Sequence, residues 1–469
     1  MTQSDYTLPE LLEAMPAWRL VSDCYKGQKA IESQGDIYLP DPSPFNEDPV
    51  SRKKRYSDYQ KRAVYYNVVR RTAKALSGLV FAKYPLMELP LPEMETNIDG
   101  AGTNITQQAR QALLMLLLKG RGGLLVDYPV NDGATAEQVK TLGYRPIIRI
   151  YEPEHVINWR YSAAGGHKRL SLLVIKEKAL KSDDGYKAEY EDRLLVLRLV
   201  NGVVVSKQMR KYELGGWEIL SEITPTDING KNLTEIPFTF FGADDNDETI
   251  DDAPLYDLAV LNIAHYRNSA DYEESNFITA QPSLFITGVS DSWYRDVLKD
   301  NPIRLGSRTA NVLGQGAEAF FLQAQSNSVL FESMNHKESQ MVALGAKLIE
   351  PSGGNKTATE ISADNADNTS VLSTIANNLS DAYTIALRFC NVYLGKPDDE
   401  AVFTLNTRFE TAKMTTAERQ QLITEWQSGA ISFAEMRSRL VEDEIAIQPD
   451  PDLARGEIEA DKRGLNLDD

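Results

Sequence analysis

Two amphipathic helical stretches, residues 254–280 and 329–349, are separated by residues 281–325, which read as a small αβ unit. A segment of that size cannot bury enough apolar surface to stand alone. It must be carried by the two helices, one running out to it and one running back. The first helix has clear start signals. Acidic Asp244, Asp245, Asp247, Glu248, Asp251 and Asp252 precede Pro254, and acids followed by proline favour a helix N-terminus. Leu255, Ala259, Ile263, Tyr266, Ala270 and Phe277 form an apolar stripe, and Pro282 closes the helix. The insert reads as a strand at 283–288, a short helix at 290–299, and strands at 303–313 and 317–324 joined through Gly314 and Gly316. The returning helix breaks at Pro351, Ser352, Gly353 and Gly354. Thr357 and Glu360 are spaced as a capping box, which predicts a third long helix from 357 to about 394.

The rest of the chain reads as α+β. Residues 1–50 read as irregular after one short helix at 8–13, with Pro40, Pro42, Pro44 and Pro49 making an extended arm. Tyr59, Ala63, Tyr66, Val69 and Ala73 recur at helical spacing, so 52–79 reads as one helix. It gathers Arg52, Lys53, Lys54, Arg55, Lys61, Arg62, Arg70 and Arg71, a patch suited to nucleic acid or to an acidic neighbour. Residues 107–119 read as a leucine-rich helix stopped at Gly120, followed by a buried strand at 124–127. Strands are expected at 147–151, 170–175, 193–200, 203–207 and 217–220. Asn201-Gly202 marks the clearest hairpin. A further strand is expected at 401–409. Two short helices follow, with boxes at Thr415/Glu418 and Ser432/Glu435. The tail after Gln448 reads as polar and loosely held.

Composition excludes several classes. The chain has 469 residues, 42% of them hydrophobic, so it can bury real cores. The longest apolar run, 113–118, is far short of the ~20 residues a membrane helix needs. No signal peptide is expected at Met1-Thr2-Gln3-Ser4-Asp5. Cys24 and Cys390 are expected to be free buried thiols. The net charge of −18 argues against a protein that grips phosphates. It is compatible with a channel through which a duplex slides, but from charge alone acidity that serves only solubility is the better reading.

No catalytic constellation stands out. His155, His167, His265 and His336 are not spaced as metal ligands, and no cofactor or metal is expected. The nearest approach to a phosphate loop is 353–357. There Asn355 stands before Lys356 and Glu350 occupies the upstream position, where a Walker motif requires glycines. Asp364 and Asp367 lie one turn apart beside Ser362, Asn365 and Asn368, which is better read as a solvated helix face than as a metal site.

Five stretches carry a resemblance. They are Tyr59 to Thr72 with Leu79-Val80-Phe81, Gly120 to Asp127, Leu258 to Asp271, Pro282 to Gly288, and Thr357 to Glu360. In this order, over roughly residues 50–440, the chain resembles the portal proteins of tailed bacteriophages, in a family long catalogued as a phage domain of unknown function. That resemblance implies a ring of about twelve subunits around a channel for double-stranded DNA, at one vertex of the virion. It implies an α+β wing with its arm at 1–245, stem helices at 246–280 and 326–350, and a clip at 281–325. A tunnel loop follows at 351–356, a long wing helix and strand at 357–412, and a helical crown and tail at 413–469.

The implied partners are the terminase large subunit, a head–tail adaptor, and the major capsid and scaffolding proteins. The chain would assemble in the host cytoplasm, with no membrane involved and no enzymatic activity of its own. Ser352, Gly353, Gly354, Asn355 and Lys356 would line the channel. Trp293, Tyr294, Arg295 and Asp296 on the clip helix would meet partner proteins; Trp293 could equally pack inside the module. Two other readings stay open: another ring protein of the virion, such as an adaptor or tail component, and a phosphate-binding enzyme acting at 353–357.

Overall fold

The computed structural model describes residues 4–43, 48–128, 144–164, 166–212, 216–280, 283–293, 295, 316–322, 328–349, 370–397, 401–409, 416–442, 445–448 and 450–465. The fold is mixed α+β. It divides into two compact units, residues 1–407 and 408–469.

The chain enters as α1, Pro9–Lys26, and continues through α2, Gln28–Ser33, and one tight turn at Gly35–Ile37. The expectation of an irregular segment is therefore corrected. Leu11, Trp18, Val21 and Cys24 recur along one face of α1 and are buried, which outweighs Pro16 inside the helix. Gly27, at φ 92°, ends α1. The long helix expected at 52–79 is two helices, α3 (Pro49–Arg62) and α4 (Val68–Val80). Between them tertiary bonds replace helical ones. The Val64 amide donates to Ser269 Oγ at 3.1 Å, and the Tyr65 hydroxyl donates to Asn262 Oδ1 at 2.8 Å. Asn67 Oδ1 then accepts the Arg70 amide at 2.9 Å and restarts the helix.

After the short strand β1, Leu86–Glu88, α5 spans Ile105–Lys119 and stops, as expected, at left-handed Gly120. A Cβ at Gly120 would lie 2.6 Å from the Asp251 carbonyl oxygen. The next strand, β2 (Arg121–Asp127), is the middle of a three-stranded antiparallel sheet with β3 (Ile147–Tyr151).

A five-stranded antiparallel meander follows: β4 (Val156–Ala164), β5 (His167–Asp183), β6 (Ala188–Val200), β7 (Val203–Lys211) and β8 (Trp217–Ile223). The expected hairpin is present, with Asn201 at φ 50° and Gly202 at φ 79°, the signature of a type I′ turn. Strand β4 was not expected, and β5 and β6 are much longer than their apolar runs. The third strand of the smaller sheet is β9, Phe238–Gly242, on the other side of β2.

The acidic stretch 244–252 is a folded loop, not a plain linker. Asp251 Oδ2 accepts the Asp244 amide at 2.8 Å, and Asn378 Nδ2 donates to the Asp244 carbonyl at 2.8 Å. Burial raises the Asp251 carboxyl above its ordinary value. Helix α6 spans Tyr256–Thr279 and leads into β10, Ser283–Thr287. Strand β11, Glu318–Leu322, pairs antiparallel with β10, and α7 spans Ser328–Lys347.

Helix α8, Val371–Tyr393, is the spine of the larger unit and buries Leu372, Ile375, Leu379, Tyr383, Leu387 and Cys390. Its Tyr383 hydroxyl donates to Gln108 Oε1 at 3.1 Å. Ser370, in extended backbone, caps its first turn, so the run to 394 is not one helix from Thr357. The expected box at Thr357 and Glu360, with Ser362, Asp364, Asn365, Asp367 and Asn368, lies outside the described residues. The expected strand near 401–409 is β12, Val402–Thr404, paired with β1.

The smaller unit contains α9 (Thr416–Gln427), α10 (Phe433–Glu442) and α11 (Pro451–Leu465). The capping box at Ser432 is formed. The Ser432 amide donates to Glu435 Oε2 at 2.7 Å, and the Glu435 amide donates to Ser432 Oγ at 3.2 Å. Leu422, Phe433 and Met436 make its core. The tail is helical rather than loose. Ala454 is buried, and the Arg455 guanidinium stacks 4.7 Å above the Phe433 ring.

Candidate channel and docking elements

Helices α6 and α7 lie side by side. His265 Nε2 meets Glu338 Oε1 at 3.2 Å, Asn268 Nδ2 donates to Ser333 Oγ at 2.8 Å, and the Tyr272 and Phe331 rings are 6.1 Å apart. Positions rise along one helix as they fall along the other, so the pair is antiparallel. Strand β10 continues from the C-terminal end of α6, and β11 leads to the N-terminal end of α7. The β10–β11 strand pair therefore sits at the end of the helix pair.

The base of α6 is anchored in the body. Its apolar stripe is buried from Leu255 to Ala270. A second, polar row beside it, Asn262, His265 and Ser269, is buried as well. Asn262 Nδ2 donates to the Tyr66 carbonyl at 2.8 Å, and the Tyr59 hydroxyl donates to Asp271 Oδ1 at 2.6 Å. Buried polar groups of this kind fix one register, because each must find its partner. Farther along, the stripe emerges. Phe277 is about half exposed under the Arg62 guanidinium, which also pairs with Glu274. The last member of the stripe is thus covered on one side by α3 and open on the other.

Helix α7 is less covered. Met341 is its buried residue, whereas Phe331 and Val342 are exposed. Between α7 and α4 runs a groove of about 690 Å³, whose lining includes Tyr66, Leu76, Met341, Val342 and Ile349. On the β hairpin, Phe285 sits opposite Phe320. Their rings stack 5.9 Å apart, and both are nearly half exposed. Phe277, Phe331, Val342, Phe285 and Phe320 are thus exposed apolar side chains on α6, α7 and the β10–β11 pair.

The expected site residues fall unevenly. Trp293 lies in a single helical turn, Asp291–Trp293, partly buried, with its amide donating to Ser290 Oγ at 3.3 Å. Arg295 is exposed. Tyr294, Asp296 and the strand at 303–313 lie outside the described residues. So do Ser352, Gly353, Gly354, Asn355 and Lys356. The two ends bracketing that loop meet, however: the Leu372 amide donates to the Leu348 carbonyl at 3.0 Å. The chain thus leaves α7 and returns to the base of α8 at nearly the same point.

The basic patch is largely spent inside the subunit. Arg52 pairs with Asp41 at 2.7 Å, Arg62 with Glu274, and Arg70 Nε donates to the Tyr25 carbonyl at 2.7 Å. Lys53 and Lys54 remain exposed. Sequence reading missed Arg121. It is buried, with its guanidinium 3.8 Å from the Phe240 centroid and 4.8 Å from that of Trp159. Desolvation lowers it to about 10 despite the nearby Asp251. This arginine is a structural cation facing the acidic loop, and only its place before Gly122 and Gly123 marks it in the sequence. The two cysteines are free and buried, as expected, and burial raises the Cys24 thiol to about 12. No helix among the described residues is long and apolar enough to cross a membrane.

Residues 254–394 match a family described as "Domain of unknown function (DUF4055)". That match covers α6, the hairpin, α7 and α8. No curated protein matches the chain. Among solved structures, a chain of the virion of a native gene transfer agent particle is 15% identical. The match covers 89% of this chain and 98% of that one, with a TM-score of 0.41. A chain from the neck of the native particle, computed with C12 symmetry, is 15% identical over 80% of this chain and 89% of that one, at a TM-score of 0.41. A third, from the neck of an empty particle computed with C6 symmetry, is 16% identical over 88% and 98%, at 0.42.

Proposed function

We propose that this chain is the subunit of a phage-type portal, a ring of about twelve copies that conducts double-stranded DNA into and out of a capsid. The observation that carries this reading is the antiparallel pair α6–α7 with the β10–β11 hairpin at its end. Such a pair supplies a stem, and the hairpin a clip. In a ring, the exposed Phe277, Phe331 and Val342 would be covered by neighbouring stems. The exposed Phe285–Phe320 stack would face the terminase large subunit during packaging and a head–tail adaptor afterwards.

The meeting of Leu348 with Leu372 supports a loop thrown out from the stem–wing junction, where 351–356 would reach the channel. Lys356 there would touch phosphates weakly, against an otherwise acidic wall that leaves DNA free to slide. The smaller unit would form the crown inside the head. Capsid and scaffolding proteins would meet the wing, and the portal itself would carry no ATPase. The assembled site of action would be the portal vertex of the virion.

The experiment is Lys356→Glu in particles. Intact rings with lower DNA retention support the assignment. Unchanged retention removes the loop from the channel. An adaptor or tail ring is the second reading. It shares the exposed apolar surfaces, and it would place the ring outside the head rather than in its shell. For a phosphate-binding enzyme at 353–357, a nucleotide that raises the melting temperature would be the discriminating result.

A further inference from the structure

The groove of about 690 Å³ between α4 and α7 is floored by buried Leu76 and Met341 and walled by exposed Tyr66 and Val342. Its rim is basic. Helix α4 carries Arg70, Arg71 and Lys74 and no carboxylate. Arg70 is spent on the Tyr25 carbonyl. Arg71, which lines the groove, and Lys74 beyond it are both exposed. The carboxylate of the lining, Glu338, is held by His265.

The first turns of α6 carry the opposite character. Tyr256 and Val260 are exposed apolar side chains there. Residues 251–264 include Asp251, Asp252 and Asp257 and no lysine or arginine. Asp251 is spent on the Asp244 amide, whereas Asp252 and Asp257 are exposed. None of Arg71, Lys74, Asp252 and Asp257 is in an ion pair among the described residues. Val260 stands five residues before His265, about 140° round the helix. The His265 ring lies 6.0 Å from that of Tyr66, on the groove side. The Tyr256–Val260 ridge therefore points away from its own subunit's groove.

The heights match as well. From the contact of His265 with Glu338, Val260 lies five residues back along α6 and Val342 four residues on along α7. In an antiparallel pair these steps run the same way, by about 7.5 and 6 Å.

We propose that the Tyr256–Val260 ridge of one subunit seats in the α4–α7 groove of a second copy, with Asp252 and Asp257 beside Arg71 and Lys74. Two different surfaces meet in this contact, so it repeats from copy to copy and does not stop at a dimer. Rotation about a ring axis leaves every residue at its own height, so a ridge and a groove that stand level can meet between stems running along that axis. The contact rests on the ring reading above and names the surfaces that join neighbours at the base of the stem. Charge complementarity fixes its register.

The test uses the full chain, whose own two cysteines are buried. Val260→Cys/Val342→Cys is treated with a short bismaleimide, beside each single variant, and run on a denaturing gel while the same samples are imaged. The contact predicts a ladder of covalent multimers ending at the ring, at least about tenfold stronger than in either single variant. Reversing Asp252 and Asp257 to lysine should weaken subunit association about tenfold, and adding Arg71→Glu/Lys74→Glu should restore it. Rings without a ladder overturn the contact and leave the ring reading standing. Dimers cross-linked by Val260→Cys alone, or no rescue in the reversed set, also overturn the contact. A ladder in open filaments keeps the contact and overturns the ring. Neither ladder nor ring overturns both.

Discussion

His265, buried in α6, is held 3.2 Å from the carboxylate of Glu338 on α7. Its other ring nitrogen, Nδ1, has no hydrogen-bond partner among the described residues. The contact is therefore the imidazole's polar anchor across the helix pair. Glu338→Ala should cost about 1–3 kcal/mol, because it strands a buried polar ring. Glu338→Gln, which can still bond the ring, should cost less. Urea denaturation of both variants checks the difference, and equal losses would show that the ring does not depend on that bond.

The glycines of β2 are set by phenylalanines. A Cβ at Gly122 would lie 2.2 Å from Phe241 Cζ, and one at Gly123 2.3 Å from Phe238 Cζ. Gly122→Ala or Gly123→Ala should therefore destabilise by about 1–3 kcal/mol through overpacking. Gly78 gives the opposite case. It is exposed in α4 with nothing within 4 Å of an added Cβ, so Gly78→Ala should stabilise by about 0.5–1 kcal/mol. Thermal melts of the three variants should separate in sign.

Ser370 sets the start of α8. Its Oγ accepts the Ser373 amide at 3.2 Å, while Ser373 Oγ donates to the Thr407 carbonyl at 2.8 Å. Ser370→Ala should cost about 1 kcal/mol and speed amide exchange in the first turn of α8. Unchanged exchange there would mean that the preceding segment, rather than the cap, fixes the helix start.

The hairpin end should be separable from assembly. Replacing Arg295 and Asp296, or Phe285 and Phe320 by serine, is expected to leave the oligomer intact and to impair attachment of terminase or adaptor. Pull-down from assembling particles measures this. Normal packaging and maturation in the variants would remove the hairpin from docking.

What the sequence made legible follows from periodicity and punctuation. The stripe from Leu255 to Ala270, the stop at Gly120, the Asn201-Gly202 turn and the Ser432 box are local signals, and each has its expected structure. The failures came where tertiary contacts overrode local ones. Tyr65 and Val64 break a helical pattern by bonding to Asn262 and Ser269 on a distant helix. Trp18 and Val21 hold α1 together through burial, across a proline that argues for disorder. The buried polar row Asn262, His265 and Ser269 was visible as a three- to four-residue spacing, but its partners between α3 and α4 and on α7 were not. The candidate docking surfaces followed from element order. The full length of β5 and β6 did not, because their charged, alternating ends look like solvated loop.

The central claim is a ring with a hole. Negative-stain imaging of the purified full-length chain, with mass measured by native spectrometry, tests it most directly. The account predicts closed rings of about twelve subunits with a central channel. Only monomers or dimers at high concentration, across low and high salt, would contradict it.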